Sequence, residues 1–259
     1  MLRSNRGLEV DYMKKLALAV SVLSISAASA FAADLPVRYT KAPAMAPGYD
    51  WSGWYVGVNG GGGWSNKNWN LNLVGVTPFA APEGSANATG GVAGGQFGYR
   101  FVTGPWVFGF EGLGDWSNLK GTRISTALAN TTNESKVDAL GMLMGTFGYS
   151  WNNVLLYTNN GIGITSDKYR GLATDTGFAF DQGKEWRIGY AAGVGLEFGF
   201  AANWSAAVEY DHLFMFDSAV GLTAIPSGLP SRTEMIHQDV DLVTVKVNYR
   251  FGGPIVAKY

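Results

Sequence analysis

The stretch 243–251, VTVKVNYRF, alternates without a break. Successive side chains of an extended strand leave opposite faces, so Val243, Val245, Val247, Tyr249 and Phe251 share one face while Thr244, Lys246, Asn248 and Arg250 share the other. The first set suits a hydrocarbon medium and the second a polar interior. The stretch 187–200, RIGYAAGVGLEFGF, repeats the pattern: Ile188, Tyr190, Ala192, Val194, Leu196, Phe198 and Phe200 alternate with Arg187, Glu197 and glycines. Trp106, Phe108 and Phe110 stand against Glu111, and Trp204, Val208 and Tyr210 stand against Glu209 and Asp211. A soluble barrel inverts this arrangement, lining its inside with the apolar face and turning its charges to water. One segment breaks the pattern, because Asn159 and Asn160 are adjacent and one of the two amides must face outward.

Working outward, eight such segments can be drawn: Gly53 to Ser65, Gly90 to Phe101, Trp106 to Ser117, Lys136 to Ser150, Val154 to Lys168, Lys184 to Phe200, Trp204 to Phe216 and Gln238 to Phe251. Each is at least about the ten residues that a tilted strand needs to cross the hydrocarbon layer. Short connections (Val102 to Pro105, Trp151 to Asn153, Ala201 to Asn203) alternate with long ones (Asn66 to Thr89, Asn118 to Ser135, Tyr169 to Gly183, Asp217 to His237). That asymmetry is the outer-membrane pattern. The predicted fold is therefore all-β, an eight-stranded antiparallel transmembrane up-and-down β-barrel over residues 51–251. An even strand count places both termini in the periplasm and the four long loops outside the cell.

The N-terminus supports export. Met13-Lys14-Lys15 precedes the apolar run Leu16 to Ala30, and Ala30-Phe31-Ala32 offers a small-residue cleavage site, so residues 1–32 read as a signal peptide. Residues 1–12 read as a mis-assigned start ahead of Met13. The Pro-containing stretch 33–50, ADLPVRYTKAPAMAPGYD, reads as a periplasmic tether, and 252–259 as a C-terminal tail. After the signal no apolar run approaches the 20 or so residues of a transmembrane helix. Composition agrees: 36 Gly, 9 Trp, 12 Tyr and 14 Phe accompany only 15% charged residues. A net charge of −1 and the lack of a Lys/Arg cluster argue against nucleic acid as a partner. With zero Cys there is no disulfide framework and no thiolate metal site.

The inward positions supply a candidate lumenal charge network of Arg100, Arg187, Lys246 and Arg250 with Glu111, Glu197, Glu209 and Asp211. Eight strands enclose a space just wide enough for side chains, whereas aqueous channels need about 16. Isolated ions in so narrow an interior cost several kcal/mol each, so pairing is expected, with Arg187 and Arg250 as first candidates to bridge Glu197 and Glu209. Other chemistry is thin. His212 and His237 are expected near the extracellular rim, beside Asp211, Asp217, Ser218 and Asp239, which invites comparison with a lipid-modifying rim hydrolase or a metal site. Those residues form no recognisable motif, and a wet rim collects polar groups anyway. Gly57 to Gly63 is not a phosphate loop, since no Lys-Ser/Thr follows it; its glycines fit barrel curvature and aromatic packing. No catalytic, cofactor or metal residues are assigned.

The stretch ADLPVRYTKAPAMAPGYDWSGWYVGVNGGGGW, the GYR and GYS strand ends, GVGLEFGF, AVEYDHL and the closing VTVKVNYRFGGPIVAKY together resemble the alphaproteobacterial small outer-membrane protein family. These are immunogenic surface antigens related to opacity proteins and OmpA-type barrels, often labelled "porin family". The resemblance implies residence in the outer membrane among its lipid and lipopolysaccharide and assembly by the barrel-assembly machinery; the loops are expected to be presented to an extracellular ligand or host factor that the sequence does not name. Two departures stand out. Met144 and Thr146 occupy positions where the family often carries inward Arg. Lys246 replaces the Gly of the usual assembly signal, and a tail follows Phe251; Tyr249 and Phe251 are the expected recognised aromatics. The functional expectation is a structural surface barrel, with a small diffusion pore second and a rim enzyme a remote third.

Overall fold

The computed structural model describes residues 49–252. The expected signal peptide and most of the tether and tail lie outside the described residues. Eight strands follow in order: β1 (Gly53–Val74), β2 (Thr77–Thr103), β3 (Trp106–Ile124), β4 (Thr131–Trp151), β5 (Val154–Ala173), β6 (Ala179–Ala201), β7 (Trp204–Ala224) and β8 (Pro230–Arg250). Each pairs antiparallel with its neighbours in sequence, and β8 returns to β1 to close the barrel. Through the apolar band closure gives every strand a partner on both edges, which is what allows bare backbone to stand in lipid.

Three tight turns and both ends of the described chain share one end of the barrel. The β2–β3 and β4–β5 turns use left-handed residues, Gly104 (φ 60°) and Asn152 (φ 54°). Here Arg250 donates to the Asp50 carboxylate at 3.2 Å and to the backbone oxygens of Ser52, Ala202 and Gly252, which ties the lead-in residues to the last strand. Burial pushes the Asp50 carboxyl up, but the Ser52 hydroxyl and N–H together with Arg250 hold it below its ordinary range.

The faces divide as the alternation predicts. On β8, Thr244, Lys246, Asn248 and Arg250 are buried inside, while Val243 and Val245 are exposed outside. On β6, Tyr190, Val194, Leu196, Phe198 and Phe200 face out, and Arg187 and Glu197 face in. Asn160 is the amide that turns outward, and Tyr190 on the neighbouring strand donates its hydroxyl to the Asn160 Oδ1. Asn159 points in. Around the tight-turn end the outer wall carries an aromatic girdle, in which Trp54, Tyr99 and Phe110 contact one another, Trp106 contacts Phe147 and Tyr149, and Tyr249 contacts Trp204 and Phe251. At the other edge of the apolar band stand Trp64, Trp116 and Trp186.

The four long loops expected from sequence are mostly strand. β1 and β2 continue their ladder to Val74 and Thr77, leaving Gly75 and Val76 as the turn, and the other three far-end connections shrink to 125–130, 174–178 and 225–229. Above the tryptophans the outward residues change from apolar to polar, so the apolar-out signal used to find the strands disappears there although the ladder does not. A 21-residue strand such as β4, rising about 3.3 Å per residue and tilted about 40°, stands roughly 50 Å tall, twice the apolar band of about 25 Å. The far half of the barrel thus projects beyond the hydrocarbon layer.

Candidate functional site

The interior is filled, and its side chains fall into layers. At the tight-turn end Trp51, Val107, Leu155 and Tyr157 form an apolar floor. Above it Arg100 reaches Glu197 at 2.8 Å, with its guanidinium over the rings of Tyr55 (4.5 Å) and Tyr157 (5.5 Å). Ser205 and Asn248 also donate to Glu197.

The next layer is organised by Lys246. Its ammonium is wholly buried and sits 2.6 Å from Glu111 and 2.5 Å from Glu209, so one cation bridges carboxylates on opposite sides of the lumen. Each carboxylate also accepts a tyrosine hydroxyl: Tyr55 donates to Glu111 at 2.8 Å and Tyr157 to Glu209 at 2.5 Å. The two halves have the same construction. Tyr55, Gly98 and Glu111 are register partners across β1–β2–β3, and Tyr157, Gly195 and Glu209 are register partners across β5–β6–β7. A Cβ at Gly98 or Gly195 would collide with the tyrosine ring that crosses it. Glycine is therefore required at both positions so that a tyrosine can lie flat and reach the strand beyond. A second pair of rows, Asn59–Gly94–Asp115 and Asn159–Gly193–Asp211, shares the same strands.

Over these charges lies an apolar plug that includes Leu113, Leu119, Leu140, Met142, Met144, Leu213 and Leu242. Beyond the plug Lys67 pairs with Asp167 at 2.6 Å, both wholly buried. A further apolar cluster holds Trp69, Tyr169 and Ile236. The outermost layer gathers Glu83, Asp181 and Glu234 around Arg232, at 3.5, 2.9 and 3.1 Å.

All eight predicted lumenal residues point inward, yet two of the expected pairings are corrected. Arg187 does not meet Glu197 or Glu209; it lies above the plug and donates to the Phe216 and Ile236 carbonyls and the Tyr169 hydroxyl. Arg250 lies below the network at the tight-turn mouth. The bridging falls instead to Arg100 and Lys246, because strand tilt brings residues of different sequence height to one level. Asp211 makes no hydrogen bond among the described residues. The upper layers lie on the strand extensions that the sequence pattern presents as loops. Their signal was present, since the inward parity of Thr244 and Lys246 continues unbroken down to Glu234 and Arg232.

The rim constellation is assembled only in part, and on the outer wall well below the hairpin tips: Asp239 lies 3.9 Å from His212 and 3.6 Å from His237, whereas Asp211 faces the lumen and Ser218 donates to Glu185. On the same wall His212 Nδ1 is 2.7 Å from Asp241 and His237 Nδ1 is 2.6 Å from Asp217. Among the described residues no group of three or more His, Asp or Glu converges on a metal position.

The sequence model of the family described as "Outer membrane protein beta-barrel domain" matches residues 16–251. The chain belongs to this family. Its place is accordingly the outer membrane. Among curated relatives, the 25 kDa outer-membrane immunogenic protein of Brucella abortus is 27% identical over 242 residues, covering 92% of this chain and 99% of the relative. The 31 kDa outer-membrane immunogenic protein of Brucella melitensis is 26% identical over 211 residues, covering 76% of this chain and 85% of the relative. Among solved structures, OprG of Pseudomonas aeruginosa aligns with a TM-score of 0.48 at 10% identity over 79% of this chain and 99% of that one. In barrels of this class short turns face the periplasm, which makes the tight-turn end periplasmic and the far end extracellular.

Tyr249 and Phe251 lie in the periplasmic girdle, their rings 5.4 Å apart, and the Phe251 N–H donates to the Trp54 carbonyl. Tyr249→Ala with Phe251→Ala should lower outer-membrane levels several-fold, measured by quantitative immunoblotting of membrane fractions. Deletion of 254–259 should have a much smaller effect. The opposite ranking would place the assembly signal in the tail.

Proposed function

We propose that the protein is a sealed surface barrel that braces the outer membrane and offers its four extracellular hairpin tips to partners. The observation that carries this reading is the filled interior, in which ion-paired layers alternate with apolar ones from floor to rim. A solute entering the lumen would have to displace the plug around Leu113, Met144 and Leu213 and then strip ions from their partners, and both steps are costly. The tips favour contact with other molecules: Val76, Ile124, Phe178 and Leu229 are each more than 60% exposed, and Asp175 is the only charge in the four turns. Names of relatives as immunogenic proteins fit surface display.

Planar-bilayer recording tests the sealed barrel. The unmodified protein should give no steady conductance, and Glu197→Ala combined with Glu209→Ala should destabilise it and introduce a leak. A large, steady channel from the unmodified protein would replace this reading with a small diffusion pore.

A further inference from the structure

Four lysines form a row around the outer wall. Lys120 on β3 is the register partner of Lys136 on β4, Lys136 of Lys168 on β5, and Lys168 of Lys184 on β6. With strands about 4.8 Å apart, the four stems arise within about 15 Å. Like charges directly opposite one another destabilise a sheet, so three consecutive Lys–Lys pairs are a cost that the barrel's own carboxylates offset only in part. Arg170 stands one outward position above the row, opposite Glu134 and Gln182. Against these five cations the same patch sets two carboxylates: Asp138, at 2.7 Å from Lys136 and 2.5 Å from Lys168, and Glu134, at 2.7 Å from Lys120 and 3.8 Å from Arg170. Lys184 makes no ion pair among the described residues.

Height and shape narrow the occupant. The row begins immediately above Trp116 and Trp186, the outward tryptophans at the upper edge of the apolar band, so it lies at the level of headgroups rather than of acyl chains. At its β6 end the wall opens: β6 and β7 do not pair between Gln182–Thr223 and Gly189–Met215. The gap leads into a cavity of about 430 Å³ lined by Lys168, Arg170, Lys184, Gln182, Thr223 and Tyr169. Ammonium and guanidinium groups for phosphate, with amide and hydroxyl groups for sugar oxygens, thus meet at one place. The wall formed by β7 and β8 carries Asp217, Asp239 and Asp241 instead, which confines the attraction to one side.

We propose that the lysine row and the β6–β7 opening bind the phosphorylated sugar headgroup of an outer-leaflet glycolipid of the lipopolysaccharide type. The row neutralises several phosphates held in the plane of the leaflet, and the opening takes one sugar phosphate edge-on. This rests on the orientation adopted above, with the far end outside the cell, but not on whether the barrel conducts.

The test uses the full chain folded in phosphatidylcholine vesicles with and without lipopolysaccharide, and measures lipopolysaccharide retained through purification. Combined Lys120→Gln, Lys136→Gln, Lys168→Gln and Lys184→Gln should reduce retention by about tenfold or more, and raised salt should reproduce the loss in the unmodified protein. Folding is monitored by heat-dependent gel mobility. If the fourfold variant does not fold, Lys184→Glu alone, which breaks no ion pair, should still lower retention several-fold. Undiminished retention by a folded variant would overturn the proposal, as would an equal loss on replacing Asp217, Asp239 and Asp241 by Asn. Binding of free glucosamine 1-phosphate as tight as that of lipopolysaccharide at matched phosphate would overturn the lipid as occupant in favour of a soluble sugar phosphate.

Discussion

Lys246→Met should destabilise the barrel by about 3–5 kcal/mol, the range expected when one partner of a buried ion pair is removed and the other is left behind. The high end is expected because two partners are left: Glu111 and Glu209 both lose their cation, and Asp211 lies on the same strand as Glu209. Their tyrosine hydroxyls remain, but a hydrogen bond from a neutral donor does not replace a full charge at 2.5 to 2.6 Å. Adding Glu111→Gln and Glu209→Gln should recover a substantial part of the loss, because the uncompensated charges are then gone. Urea unfolding in lipid vesicles, followed by tryptophan fluorescence, measures both steps. A Lys246→Met protein as stable as the original would mean that the central layer contributes nothing to the fold.

Val245→Arg and Leu196→Arg should each cost about 2–4 kcal/mol if they lie near the bilayer midplane. Both are more than half exposed on the outer wall, and both stand between the two aromatic edges of the apolar band. In water an exposed valine is a benign site for arginine. In lipid the guanidinium must thin the bilayer or reach for the headgroups. Thr244→Ser, one residue away but inside, should change stability little. Equal stability of Val245→Arg and the unmodified protein in the same vesicles would reverse the assignment of inner and outer faces.

These faces were legible in the sequence because a strand has a strict period of two and the membrane rewards it on one side only. VTVKVNYRF and RIGYAAGVGLEFGF carry that contrast at nearly every position. Legibility failed where the contrast faded. On the extracellular half of β1 the outward residues are Asn66, Asn68 and Asn70, while Lys67 and Trp69 face in, so an inside-out pattern replaces the expected one and the segment looks like loop. Pairings were the other gap. Lys246 and Glu111 are 135 residues apart, and their meeting depends on strand tilt and stagger, which no local pattern records. Gly195 falls on the inward face of RIGYAAGVGLEFGF, but its purpose, and that of Gly98, became apparent only with Tyr157 and Tyr55 lying across them.

The extended hairpins have a consequence for whatever grips the outer end. Turns of two to six residues offer little free sequence of their own, and most residues below them are committed to a ladder. A partner that covers the crown must therefore touch several hairpins at once, reading residues such as Val76, Phe178 and Leu229 that lie far apart along the chain. Its epitope is discontinuous. A peptide copied from any one tip would lack the geometry, whereas the intact cylinder holds all the fragments in fixed relation.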